Sequence, residues 1–469
     1  MIIEQIYTGC LSQGAYYIHS NGEAAIIDPL RDIKPYIEKA ANDGVKIKYI
    51  FETHFHADFV SGHVTLAENT GAPIIYGPNA NPSFEAHIAK DGDIFKLGDV
   101  TISVLHTPGH TMESTTYLLA DKNGKNHSIF TGDTLFLGDV GRPDLAQKSD
   151  DLTIEDLASY SYDSLRNKIM PLSDDVIVYP AHGAGSACGK NMMKETVDTL
   201  GNQKKVNYAL RDDMTKEEFI KEITEGLLPP PDYFPKNVKL NKEGYRSIDE
   251  VIDSGLKELS PFDFEKITNQ EGALMLDVRK PHEYAESHIP NSIFIGLDGS
   301  FAPWAGELIV DLDQPIVLIC PDDREEEAIT RLSRLGFDNT KGFLKGGLNA
   351  WINYGNEIDS VFSISPDDFK DIYIKKENKI FDVRKKSEFL SQHINNAYNT
   401  PLSEINSCLS EYPKTEKFYV HCAGGYRSMI ASSILKSRGF HNLVDIKGGY
   451  KAIEKTSVSR SEYICPSLI

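Results

Sequence analysis

The chain has 469 residues, 40% of them hydrophobic, a length and composition that fit about three globular domains. Its net charge of −20 argues against nucleic acid or an anionic membrane as a partner and reads as solubility. No apolar run approaches the roughly 20 residues of a membrane helix. The six cysteines are scattered without a C-x-x-C pair, which fits reduced thiols in a cytoplasm.

The N-terminal Met1-Ile-Ile-Glu-Gln-Ile lacks a basic stretch ahead of a long apolar one, so it reads as a first strand and not as a signal peptide. Four short apolar runs follow, at 48–51, 102–105, 128–130 and 176–179. Runs this short, ended by Gly or Pro, read as buried strands. Past them stand His54-Phe-His56-Ala-Asp58-Phe59, Thr107-Pro-Gly-His110, Thr131-Gly-Asp133 and Tyr179-Pro-Ala-His182. Four strand ends thus bring His and Asp to one edge of a layered α/β sandwich. These side chains suit zinc or iron.

His54, His110 and Asp133 are the expected ligands of one metal. Two His and one carboxylate leave three octahedral positions open, as in non-haem Fe(II) oxygenases. His56, Asp58 and His182 would complete a second site in a two-metal hydrolase, which usually has another His directly after the Asp. Phe59 stands there instead, with His63 as the one nearby substitute. His56, Asp58 and His182 are therefore placed around the ligands or against substrate. Arg142, in Gly138-Asp-Val-Gly-Arg-Pro-Asp144, has two readings, an anionic-substrate contact and a structural salt bridge. Cys188 also has two, a sulfane-sulfur acceptor or gate at the metal mouth and a small buried residue.

Residues 190–225 are rich in helix formers and close a first domain, 1–226. The stretch 227–259 opens with Leu227-Leu-Pro-Pro-Pro-Asp-Tyr-Phe-Pro235 and reads as an extended linker packed along the first domain. An internal repeat follows, 260–358 and 359–469. Leu276-Asp-Val-Arg-Lys280 returns as Phe381-Asp-Val-Arg-Lys385, and Lys345-Gly-Gly347 as Lys447-Gly-Gly449. Each copy reads as a small, mostly parallel α/β unit.

In the second copy an apolar strand ends at Cys422, and Ala-Gly-Gly-Tyr-Arg427-Ser428 leads into a helix. Glycines let backbone N–H groups turn toward the sulfur. The helix N-terminus and Arg427 add positive charge, which favours a thiolate. In the first copy Cys320-Pro-Asp-Asp-Arg324-Glu-Glu-Glu327 is one residue shorter, lacks Gly and is acidic, so it reads as a degenerate site.

The motifs around His54, His110, Asp133 and His182 resemble the metallo-β-lactamase superfamily over residues 1 to about 235. Phe59 and the 138–144 run resemble its persulfide dioxygenase branch more than glyoxalase II. The Cys422 loop, with Asp382-Val-Arg384 and Lys447-Gly-Gly449, resembles rhodanese sulfurtransferases. These resemblances imply an αββα sandwich followed by a degenerate and an active rhodanese domain. They imply one Fe(II) per chain on His54, His110 and Asp133, and a first-domain homodimer or tetramer. Expected partners are a low-molecular-weight thiol persulfide, O₂, sulfite and thiosulfate, with Cys422 as the sulfur-accepting nucleophile. The alternative is a glyoxalase II-like zinc thioester hydrolase carrying sulfur-carrier rhodanese domains.

Overall fold

The computed structural model describes residues 1–145, 152–227, 229–375 and 378–465. Leu228 of the linker run and the last four residues lie outside these. Two compact units form, Met1–Glu250 with Leu332–Asp338, and Val251–Arg331 with Asn339–Ile469.

In the first unit, strands β1 (Ile2–Thr8), β2 (Gln13–Ser20), β3 (Glu23–Ile27), β4 (Lys46–Phe51), β5 (Ile74–Tyr76) and β6 (His87–Ile88) lie side by side in chain order. A second six-stranded sheet holds β7 (Ile94–Leu97), β8 (Val100–His106), β9 (Thr115–Ala120), β10 (Asn126–Gly132), β11 (Ile177–Pro180) and β12 (Asp198–Thr199), again in chain order. Neighbouring residues of a strand point to opposite faces, and here both faces are buried. Ile27, Phe51, Tyr117 and Phe130 fill the space between the sheets. Ile26 and Ile50 pack outward with Tyr36 and Leu66 from helices. Leu118 and Ile129 do the same with Leu165 and Phe219. The result is the four-layered αββα sandwich expected.

Two stretches differ from expectation. Within 190–225 only Leu200–Val206 and Lys216–Thr224 are α-helical. The linker is not extended, because it contains the helices Phe234–Glu243 and Ile248–Gly255. Pro235 sits in the first turn of the former, where a missing N–H goes unused.

The second unit holds two five-stranded sheets of one topology. The first orders β13 (Glu258–Leu259), β17 (Thr340–Leu344), β16 (Ile316–Ile319), β14 (Leu274–Asp277) and β15 (Ile293–Phe294). The second orders β18 (Ser363–Ile364), β22 (Leu443–Ile446), β21 (Phe418–His421), β19 (Lys379–Asp382) and β20 (Tyr398–Asn399). All their pairings are parallel, as the repeat predicts. Cys320 and Cys422 each follow the central strand of their sheet.

Asp445 on β22 is buried and accepts from Ser428 Oγ at 2.7 Å. Burial raises its pKa to about 6. A folded pKa above the unfolded value means that ionisation opposes folding. The penalty is absent below about pH 4 and grows until about pH 6. Asp445→Asn should therefore stabilise the second unit by about 1–3 kcal/mol near pH 8 and by almost nothing near pH 4. Urea unfolding of both chains at the two pH values measures this.

Candidate metal centre and sulfur loop

The metal residues stand past the C-terminal ends of β4, β8, β10 and β11. Asp28, just after β3, receives Thr53 N at 2.8 Å and Thr53 Oγ1 at 2.9 Å. Thr53 Oγ1 lies 2.9 Å from His54 Nδ1. Its proton is used on Asp28, so the hydroxyl accepts from Nδ1–H, and His54 Nε2 keeps a lone pair. His110 Nδ1 lies 2.9 Å from the Arg142 carbonyl, which only accepts, so its Nε2 lone pair is free too. His54 and His110 Nε2 sit 3.9 and 3.4 Å from Asp133 Oδ2. Burial, with the rings of His56, His110 and His182, pushes the His54 pKa well down and keeps it neutral.

Both Asp133 oxygens are buried without a hydrogen-bond partner. A carboxylate left so amid imidazole lone pairs is the donor set of a cation site. One ligand atom from each of His54, His110 and Asp133 falls within a 4.8 Å cluster. The residues fit a divalent metal. Gly141 permits the geometry, because a Cβ there would overlap the Asp133 carbonyl and crowd His110 Nδ1.

A second donor group adjoins the first: His56, Asp58 and His182, with Cys188 joining Asp133 and His182. His182 Nε2 lies 3.4 Å from Asp58 and 3.6 Å from Asp133. His56 Nε2 lies 3.2 Å from Asp28 and 3.5 Å from Glu52. Burial lowers its pKa, but Asp28, Glu52 and Asp133 outweigh that and hold it at about 9. Phe59 is wholly buried, its ring 4.4 Å from that of His56. His63 is no substitute for the missing His. It faces Glu52 at 3.4 Å and packs on Phe84, outside these donor groups. Cys188 is buried, and burial with Asp58 and Asp133 pushes its thiol pKa well up.

Arg142 takes the salt-bridge geometry. Nε and Nη2 donate to Asp144 at 2.6 and 2.7 Å, and Nη1 to the Ala187 carbonyl at 3.3 Å. Its backbone serves the centre, with its carbonyl on His110 and its N–H on the Cys188 carbonyl at 3.0 Å.

In the second unit Gly425 N donates to Cys422 Sγ at 3.1 Å. Tyr450 N and Lys451 N close on the Cys422 and Ala423 carbonyls at 2.7 and 3.0 Å. Arg427 is not free, because it pairs with Glu388 through Nη1 and Nη2 at 2.6 and 2.8 Å. The Cys320 loop lacks this cradle: among the described residues no backbone N–H donates to Cys320 Sγ. Burial, Glu325 and Asp277 push its pKa well up. Arg324 is spent on Glu327 and Asp298, at 2.6 and 2.7 Å.

Residues 8–182 match the metallo-beta-lactamase superfamily, and residues 260–354 and 365–456 match the rhodanese-like domain. The chain is 30% identical over 212 residues to human mitochondrial persulfide dioxygenase ETHE1, covering 45% of this chain and 74% of that protein. The chain belongs to the metallo-β-lactamase superfamily. It carries two rhodanese-like domains in addition. A metallo-beta-lactamase from Staphylococcus aureus subsp. aureus COL is similar in structure, with a TM-score of 0.64 and 30% identity, over 73% of this chain and 98% of that one. The cytoplasmic hydroxyacylglutathione hydrolase of Arabidopsis thaliana is 32% identical over 178 residues, 37% of this chain and 65% of that protein. Of two Schizosaccharomyces pombe relatives with that activity in their names, the chain spans 58% and 59%. No described helix is long and apolar enough to cross a membrane.

One residue of this superfamily member escaped the sequence reading. Asn241, buried on the helix Phe234–Glu243, donates to the carbonyls of His56 and Phe59 at 2.8 Å each. Its Oδ1 accepts from Ser61 N at 2.8 Å. It staples the loop that carries His54, His56 and Asp58. Asn241→Ala leaves three buried backbone groups unpaired, so we expect a loss of about 2–4 kcal/mol and about tenfold or more in metal affinity. Chemical unfolding and metal titration measure the two.

Proposed function

We propose that the chain is a persulfide dioxygenase using one Fe(II) on His54, His110 and Asp133, joined to a rhodanese sulfurtransferase acting through Cys422. The observation that carries this reading is Phe59, a buried phenyl ring where a two-metal hydrolase places a further imidazole. Iron bound there would supply O₂ activation and a place for the terminal persulfide sulfur. The protein's part is to fix two imidazoles through Thr53 and the Arg142 carbonyl, and to aim Asp133 between them. Phe59 and Phe136, both fully buried beside His182, keep bulk water from that side. Overall, a persulfide anion, O₂ and water give the thiolate, sulfite and two protons.

At the rhodanese loop the Cys422 thiolate attacks the outer sulfur of a second persulfide and releases its thiolate. Sulfite then attacks the outer sulfur of the Cys422 persulfide. Thiosulfate leaves and the Cys422 thiolate returns, so charge and atoms balance. The Gly425 N–H supports the anionic sulfur, and the ion-paired Arg427 shapes the loop wall.

A second reading, a zinc thioester hydrolase, is favoured by the His56, Asp58, His182 donor group and the hydrolase relatives. Iron-loaded and zinc-loaded protein separate the two. Oxygen uptake on glutathione persulfide, with sulfite and thiosulfate quantified together, is expected only with iron. Thiol release from a hydroxyacylglutathione by the zinc form, with no oxygen uptake by either form, would sink the dioxygenase.

A further inference from the structure

The helix Tyr426–Ser437 starts directly after Gly425, the residue whose N–H meets the Cys422 sulfur. Every residue from Ser428 to Lys436 is buried. A helix covering a single sheet normally leaves one stripe to water. Here that stripe lies against the degenerate copy. Tyr426 and Ser433 are two turns apart and share a face. Ser433 Oγ accepts from Phe294 N at 3.0 Å. Tyr426 OH donates to the Gly296 carbonyl at 2.7 Å, and its ring meets Phe294 edge-on at 6.0 Å. Gly299 packs so tightly on the same ring that a Cβ there would overlap it. At the far end Lys436 pairs at 2.9 Å with Asp359, whose backbone N–H and carbonyl bond His288 of the degenerate copy.

The segment that receives Tyr426 is itself braced. Ile295 N and Leu297 N bond the carbonyls of Asp277 and Val278, at 3.0 and 3.1 Å. Arg331 Nη1 donates to the Leu297 carbonyl at 2.7 Å. Arg324 Nη1 holds Asp298 at 2.7 Å. Arg324 belongs to the Cys320 loop, which no longer cradles a sulfur. Its guanidinium steadies the surface on which the other copy's loop rests.

We propose that the degenerate rhodanese copy is a positioning element for the Cys422 loop and acts through Tyr426. Tyr426 directly follows Gly425, so fixing its phenol on Gly296 anchors the chain one residue beyond the N–H that points at the sulfur and limits how far that N–H can turn away. This rests on the sulfurtransferase reading of Cys422. A contact that only joined the two copies would matter for stability and leave the thiol's reactivity alone.

The test uses the full chain with Tyr426→Phe, which keeps the ring and removes the hydroxyl, and Gly299→Ala, which displaces the ring from the degenerate copy. Iodoacetamide labelling of the Cys422 peptide, followed by mass spectrometry across pH, reads thiolate formation. Steady-state thiosulfate formation gives kcat and KM. We expect the labelling midpoint to move up by about half to one pH unit in each variant. We expect kcat to fall about fivefold to twentyfold with KM within about twofold, and the double variant to be non-additive. Midpoint and kcat unchanged in folded variants would overturn the proposal. So would a Tyr426→Phe chain that does not fold, since the contact would then be a folding determinant. If Gly299→Ala does not fold, Tyr426→Phe decides. If the wild-type chain forms no thiosulfate while the midpoint still moves, the sulfurtransferase reading fails and the positioning role stands.

Discussion

Asp133→Asn is expected to empty the metal centre and at the same time make the metal-free protein harder to unfold. Both carboxylate oxygens of Asp133 are buried and lack hydrogen-bond partners. Their neighbours are the Nε2 atoms of His54, His110 and His182, at 3.9, 3.4 and 3.6 Å. The Nδ1 atoms of these rings face oxygens of Thr53, Arg142 and Ser12, which directs each Nε2 lone pair inward. Without a cation, a negative charge therefore faces three lone pairs in a dry site, relieved only by the charged His56 and the protonated Cys188 thiol nearby, an arrangement that opposes folding. The amide removes the charge and keeps the shape. We expect metal content to fall at least about tenfold. In chelator the variant should gain about 1–3 kcal/mol by urea unfolding. Wild type should regain stability with metal, about 2.7 kcal/mol at a hundredfold excess over Kd, while the variant gains none. A metal-free variant less stable than metal-free wild type would show that Asp133 has a structural partner.

The pattern of what the sequence revealed has a physical basis. His54, His110, Asp133 and His182 were legible because strand ends must be punctuated, and a metal site built there writes His and Asp into Gly- and Pro-marked turns. The repeat was legible because one topology folds twice from echoed strand ends at Asp277 and Asp382. Arg142 shows where such reading stops. A guanidinium advertises anion binding, yet the group that orients His110 is the backbone carbonyl of the same residue, which no letter encodes. Asn241 was hidden twice. The prolines at 229–231 and 235 suggested extended chain, while Pro235 sits in the first helical turn. Its partners, His56, Phe59 and Ser61, lie about 180 positions away in sequence. His63 stood near the metal motif in sequence, but the helix that it opens, His63–Thr70, carries it to Glu52 and Phe84.

Cys422→Ser and Cys320→Ser should part widely, because two copies of one fold offer the sulfur opposite surroundings. Cys422 receives the Gly425 N–H at 3.1 Å, at the start of a twelve-residue helix whose N-terminal field favours an anion. Around Cys320 the corresponding turn is acidic. Glu325 and Asp277 add to burial in holding that thiol protonated, and Arg324 is neutralised by Glu327 and Asp298. On the proposed function, the first loop would favour an anionic sulfur and the second would oppose it. A Ser hydroxyl cannot hold a sulfane sulfur in exchange with sulfite, so Cys422→Ser should lower thiosulfate formation at least about a thousandfold. Cys320→Ser should change it less than about threefold. Oxygen uptake on the same persulfide should stay within about twofold in both, since every donor of the metal centre comes from Met1–Glu250. Sulfite would then accumulate in place of thiosulfate in the Cys422→Ser chain. Thiosulfate formation collapsing equally in both variants would mean that the acidic loop carries sulfur after all.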